Sequence, residues 1–238
     1  MAEFRINPAL DRAALAAAYR RDRRVRVVDL LEEDGLADFY WSLHDREDWW
    51  HLVHTPDGIV ELDRGQRAAM SADRRAELDR IVDSGARDGF QYRYEGLRVP
   101  WSGDGERAGD PLAAFSRLMA SAAMIDLLRE ITGHDGLAFT DGHATAYGPG
   151  DFLTGHDDDV AGKARIAAYV FGMTPRWRPE WGGLLLFHGE GEADVAGQVP
   201  RFNTLDLFAV PQRHSVSMVT SAAPVRRFAV TGWLREQA

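Results

Sequence analysis

The chain has 238 residues, 45% of them hydrophobic, and 28 Lys and Arg against 37 Asp and Glu give a formal charge of −9. That length can bury one large core or two modest ones. The acidity argues against a nucleic-acid backbone as partner, and no apolar run reaches the roughly 18 residues of a membrane span.

There is no Cys. Disulfides, thiolate zinc sites and iron–sulfur clusters are thereby excluded, which leaves His and carboxylate to hold any metal. The first residues, M-A-E-F-R-I-N-P, lack an apolar signal region, and the expectation is a cytoplasmic protein with no membrane partner.

In chain order, Asn7-Pro8 is a helix start, and A-L-D-R-A-A-L-A-A-A-Y-R-R after it is strongly helix-favouring. Residues 24–31 alternate in their first half and read as a strand. Residues 32–44 read as a second helix. Trp49 to His54, then T-P-D-G, then Ile59 to Leu62 predict a hairpin, because P-D-G is turn chemistry. A charged amphipathic helix is expected over 64–85, and a strand over 90–97 with Tyr92 and Tyr94 on one face. Residues 98–111 are rich in Gly and Asp and read as a loop. Residues 112–132 read as helical with a break near Ser121, ending at Gly133 as a C-cap.

From Asp135 onward the texture changes to short strands separated by turns. The segments are 137–147, 153–159, 164–173, 183–188, 196–202, 205–210, 214–219 and 226–235. Turns every eight to twelve residues or so suggest a sandwich, jelly roll or barrel. Helices gathered ahead of the strands indicate an α+β fold, mainly β at its core, with helices packed on one sheet. With no internal repeat, one domain over 1–238 is the simplest account: helical or mixed support over 1–133 and the β core over 134–238.

The chemistry centres on 147–159, Y-G-P-G-D-F-L-T-G-H-D-D-D. In an extended strand, residues two apart point to one side, so His156 and Asp158 leave the backbone together. They form two-thirds of a 2-His-1-carboxylate set, which holds a metal on one face and leaves positions open. His214 can supply the third ligand. A rival with the same spacing is His188-x-Glu190, also at a strand end. The Pro-Gly turn over 148–151 favours His156, because it reverses the chain and aims the next strand. Asp157 and Asp159 read as solvated surface.

The C-terminal half resembles the iron(II)- and 2-oxoglutarate-dependent oxygenases, in their prolyl-4-hydroxylase-like branch. The resemblance covers about 136–235. It rests on Tyr147 with P-G-D-F-L before His156-x-Asp158, on Trp181-Gly182-Gly183-Leu184-Leu185, on His214-x-Val216, and on Arg227 followed by A-V-T-G-W ending at Trp233. It implies a double-stranded β-helix (a cupin-like jelly roll) with N-terminal helices bracing the larger sheet. It also implies Fe(II) at His156, Asp158 and His214, with 2-oxoglutarate and O2 as cosubstrates and ascorbate as a supporting reductant. Arg227 would pair with the far carboxylate of 2-oxoglutarate and Tyr147 would hydrogen-bond to it, with Arg226 as the alternative to Arg227. A guanidinium suits that task because its fork matches a carboxylate.

The implied reaction hydroxylates an unactivated C–H and releases succinate and CO2. The substrate expected is a prolyl residue in a peptide or protein, gripped by 47–62 and 90–110, where Trp49, Trp50, Tyr92, Tyr94 and Trp101 cluster. The alternatives are a free amino acid or other small metabolite, or a non-catalytic metal-binding jelly roll.

Overall fold

The computed structural model describes residues 4–98, 109–191 and 193–236. The N-terminal half comprises α1 (Arg12–Asp22), β1 (Arg24–Val28), α2 (Leu36–His44), the hairpin β2 (Trp50–Thr55) and β3 (Gly58–Leu62), α3 (Arg64–Ala69), α4 (Ala72–Asp88), β4 (Tyr92–Arg98), α5 (Pro111–Met119) and α6 (Ala122–Thr132). After α6 come β5 (Leu137–Thr140), β6 (His143–Tyr147), β7 (Phe152–His156), β8 (Arg165–Gly172), β9 (Leu185–His188), β10 (Val195–Gln198), β11 (Thr204–Ala209), β12 (His214–Val216) and β13 (Arg227–Glu236).

Capping chemistry explains where the helices depart from the expected limits. The helix expected over 64–85 is two helices. Met70 turns extended, and Ser71 caps the second by accepting from the Arg74 amide at 3.2 Å. Ser121 does the same at the expected break, accepting from the Met124 amide. The helix expected from residue 32 begins only at Leu36, after Gly35 with φ 78°. Gly133 closes α6 with φ 73°, the left-handed C-cap for which a residue without Cβ is suited.

The strands form one antiparallel sheet in the order β1-β11-β8-β13-β6-β4-β7-β12-β9-β10, with β5 beside β13 and the β2–β3 hairpin beside β4. The sheet curls on itself as a double-stranded β-helix. Its larger face carries β1, β11, β8, β13 and β6, and its smaller face β7, β12, β9 and β10. β4 spans the two, since it pairs with both β6 and β7. The N-terminal half therefore supplies strands as well as helices, which the alternation at 24–31 and 90–97 foreshadows.

The helices brace the larger face, as expected. Phe39 of α2, Phe115 of α5 and Leu128 of α6 are buried in one cluster with Phe171, Leu205 and Phe228 of the sheet. Phe115 stacks on Phe171 at 4.6 Å between ring centroids. No single helix among the described residues is long and apolar enough to cross a membrane, and apolar α5 and α6 spend their apolar faces on this core.

A buried amide ties the N-terminal segment to the sheet. Asn203, at φ 52°, accepts from the Leu31 amide at 3.0 Å and donates to the Leu31 carbonyl at 2.8 Å. Asn tolerates that backbone region better than most residues. Replacing Asn203 with Ala orphans both Leu31 groups, each costing about 1–3 kcal/mol when buried. Urea unfolding of Asn203→Ala should show a loss on the order of 2–4 kcal/mol. A midpoint equal to wild type would contradict this.

Candidate active site

β7 and β12 are antiparallel neighbours, and their register sets His156 directly opposite His214. The two rings approach to 4.1 Å between centroids. The turn before β7 is tied down: the Asp151 carboxylate accepts from the Gly148 amide at 2.8 Å, and the Gly150 amide donates to the Val219 carbonyl at 2.8 Å. β7 is thereby aimed beside β12.

Each His contacts a backbone carbonyl through Nδ1. His156 meets the Thr154 carbonyl at 3.0 Å and His214 the Gln212 carbonyl at 2.7 Å. A carbonyl only accepts, so each Nδ1 carries a proton, and in the neutral ring Nε2 presents a lone pair. Burial first, and His156 second, push His214 down to about 4, which keeps its ring neutral.

Both Nε2 atoms face Asp158. His156 Nε2 lies 3.5 Å from Oδ1 and His214 Nε2 lies 3.5 Å from Oδ2. With Nδ1 protonated, these are lone pairs set against carboxylate lone pairs. Such an arrangement is stabilised by a cation between them. One atom from each residue lies within 4.8 Å of the others, and ligands at about 2.1 Å from a metal in adjacent positions stand about 3 Å apart. The donor set fits a divalent metal bound on one face.

The local geometry at Asp158 differs from the extended i, i+2 pattern. β7 ends at His156, and Asp158 lies beyond it with φ 64°. The left-handed turn, rather than strand alternation, brings the carboxylate back beneath the rings. Asp157 and Asp159 are exposed, as expected.

The rival pair does not assemble. His188 Nε2 meets Ser215 Oγ at 2.8 Å, and Glu190 is exposed in the following turn. Among the described residues, His156, Asp158 and His214 are the only such cluster able to hold a metal ion.

A cavity of about 210 Å³ opens beside the three residues, and Arg227, Tyr147, Tyr92, Tyr94 and His143 share its wall. Arg227 on β13 pairs in register with Tyr147 on β6, and its guanidinium lies 5.2 Å from the centre of the Tyr147 ring. Arg227 is only 4% exposed, yet no carboxylate among the described residues lies within 4 Å of it. Burial pulls its pKa down, with Tyr147 and then Asp206 opposing. A buried cation without a protein counter-charge is costly, and an anionic ligand in the cavity would offset that cost. Burial also raises the pKa of Tyr147, which keeps its hydroxyl protonated.

Arg226 points the other way. It pairs with Glu95, donates to the His44 carbonyl at 3.2 Å and covers the Phe228 ring at 4.9 Å. It joins β4 to α2 and takes no part in the cavity. The W-G-G stretch has a physical reason as well. Gly182 has φ 69°, and a Cβ there would meet the Met218 carbonyl oxygen at 2.0 Å. Trp177 donates to the Gly182 carbonyl at 2.8 Å, and a Cβ at Gly183, where φ is 63°, would come within 3.3 Å of Arg227 Cδ.

Of the expected substrate-gripping aromatics, Tyr92 and Tyr94 line the cavity, and Tyr94 stacks on Tyr147 at 5.1 Å. Trp50 is 43% exposed and lines a second, outer hollow of about 670 Å³ that shares Tyr92, Tyr94 and His143 with the cavity. Trp49 is a correction. Its ring is buried in the helix-side core and donates to the Leu43 carbonyl at 3.1 Å, so it packs rather than grips. Trp101 and most of the 90–110 segment's loop fall at 99–108, outside the described residues.

Sequence reasoning missed Phe90, His143 and Arg165. Phe90 leans on His156 at 5.6 Å, and the alternation that marks Tyr92 and Tyr94 extends to it. His143 stands four residues before Tyr147 on the same strand. Burial pushes it down to about 4, so it too is neutral.

An antiparallel jelly roll with two His and one Asp gathered inside it has the build of a mononuclear non-haem oxygenase. Residues 142–235 match the model of the 2OG-Fe(II) oxygenase superfamily. Over that stretch the chain is similar to the 2OG-Fe(II) oxygenases. Among curated proteins, none matches the sequence.

Solved structures share the fold at low identity. A Pseudomonas putida prolyl-4-hydroxylase is 19% identical with a TM-score of 0.57, over 95% of this chain and 100% of that one. A Trichoplax adhaerens prolyl hydroxylase, solved with a hypoxia inducible factor peptide, is 16% identical with a TM-score of 0.61, over 94% and 89%. The α-ketoglutarate-dependent epimerase SnoN of nogalamycin biosynthesis is 14% identical with a TM-score of 0.58, over 97% and 84%.

Proposed function

We propose that this protein is an Fe(II)- and 2-oxoglutarate-dependent dioxygenase that hydroxylates a prolyl residue in a peptide or protein. The observation that carries the reading is the confrontation of two Nε2 lone pairs with the Asp158 carboxylate, in a cavity walled by the buried, uncompensated Arg227. In this reading His156, Asp158 and His214 hold Fe(II). Iron, 2-oxoglutarate and O2 together supply the chemistry: substrate C–H, 2-oxoglutarate and O2 become substrate C–OH, succinate and CO2.

The chain's own groups bind and orient. The Thr154 and Gln212 carbonyls fix both imidazoles with Nε2 toward the metal. Arg227 offers its fork to the far carboxylate of 2-oxoglutarate, and the protonated Tyr147 hydroxyl donates to the same group. Phe90, Tyr92 and Tyr94 wall the cavity with aromatic surface that excludes water and limits side reactions.

The outer hollow lined by Trp50, Leu52 and Tyr92 supports an extended substrate, since it shares Tyr92, Tyr94 and His143 with the cavity. The prolyl hydroxylases among the structural neighbours support the same choice. The SnoN neighbour supports a small metabolite as the alternative.

The test is mass spectrometry of proline-containing peptides incubated with protein, Fe(II), 2-oxoglutarate, ascorbate and air. A gain of one oxygen on proline, matched by succinate, is expected. Oxidation confined to free amino acids or other small molecules would overturn the peptide reading and establish the alternative.

A further inference from the structure

We infer that Arg165 is the positioning residue for Asp158, holding the left-handed turn that presents its carboxylate to the metal. The inference rests on Asp158 being a metal ligand, as proposed above.

Asp158 stands outside any strand ladder, in a β7–β8 connection whose neighbours Asp157, Asp159 and Val160 are exposed. At φ 64° its backbone lies in the left-handed region, which residues other than Gly occupy only sparsely. Such a conformation persists where the surroundings over-determine it. Arg165 Nη1 donates to the Asp158 carbonyl oxygen at 2.9 Å, and the same nitrogen lies 4.0 Å from Oδ1. One guanidinium thus grips the backbone and steadies the carboxylate of one residue.

The guanidinium is itself fixed. Its carbon lies 3.6 Å from the centre of the Trp233 ring, a stacked cation–π contact. Its side chain is 12% exposed, and Nε is buried without a hydrogen-bond partner. Trp233 lines the cavity and belongs to β13, the strand that also carries Arg227. Arg165 therefore spans the metal-side turn and the Arg227 strand. Planarity matters in this setting: Lys offers a donor but no flat face for the indole.

Co(II) binding tests the inference without substrate or turnover, as a spectroscopic stand-in for Fe(II). Isothermal titration and the visible d–d absorption are recorded on wild type, Arg165→Met and Arg165→Lys, with circular dichroism and melting as controls for folding. Arg165→Met should bind Co(II) roughly ten-fold or more weakly, as groups supporting a metal ligand do. Its d–d bands should be altered and its circular dichroism native. Arg165→Lys should recover part of the affinity.

If Arg165→Met does not fold, Trp233→Leu removes the stacking platform and should weaken Co(II) in the same way. Wild-type affinity and an unchanged spectrum in Arg165→Met, or in Trp233→Leu where it replaces it, would overturn the inference. A wild-type protein that takes up no Co(II) would overturn the metal-site reading, and the inference with it.

Discussion

Replacing His214 with Ala is expected to abolish Fe(II)-dependent succinate formation, and His156→Ala should do the same. Each ring supplies one lone pair to a site with three protein ligands. Each is also oriented by a backbone carbonyl that accepts from its Nδ1. His214 is buried and faces Asp158 Oδ2 at 3.5 Å. Truncating it leaves a carboxylate and one imidazole, too few to hold iron with open positions for the cosubstrates. His188→Ala is the control, because His188 hydrogen-bonds Ser215 and stands outside the cluster. It should keep most of the turnover. Measured succinate with the opposite ranking, His188→Ala dead and His156→Ala active, would place the site elsewhere.

Arg227→Ala should raise the apparent KM for 2-oxoglutarate far more than Arg226→Ala. Removing one partner of a buried, hydrogen-bonded charge pair costs about 2–5 kcal/mol. At ~1.4 kcal/mol per decade this is about thirty-fold to several thousand-fold. Arg227 is buried with no protein carboxylate within 4 Å among the described residues, so its loss removes a ligand contact and disturbs no ion pair. Arg226 is engaged with Glu95 and with the Phe228 ring, away from the cavity. Its loss should show in melting temperature before it shows in KM. A larger KM effect at Arg226 would contradict the observed register of β13 against β6.

The metal-site candidates are legible in the sequence because their chemistry is local. His156 and Asp158 lie two residues apart, a Pro-Gly turn precedes them, and alternation of neighbouring residues separates Arg227, at the start of β13, from Arg226 just before it. The mechanism of approach is less legible. Asp158 reaches its place through a left-handed turn that no strand rule foresees, and Arg165 reaches it from seven residues on, across a bend. The break at Met70 depends on a single Ser cap inside otherwise helical composition, whereas the break near Ser121 is foreseen.

Long-range packing is the other blind spot. Trp49 and Trp50 are adjacent and chemically alike, but strand alternation buries one against Phe228 and exposes the other at the outer hollow. The expectation that both grip the substrate overlooks this alternation. Which of them faces the core follows from the position of α2, whose Leu43 carbonyl accepts the Trp49 indole.

The central claim is the identity of the metal site, and anomalous diffraction at the iron absorption edge tests it most directly. Crystals grown without oxygen in the presence of Fe(II) and 2-oxoglutarate should give one strong anomalous peak between His156 Nε2, His214 Nε2 and the Asp158 carboxylate. The far carboxylate of 2-oxoglutarate should lie against Arg227. A peak beside His188 and Glu190, or no protein-bound iron at all, would contradict the account.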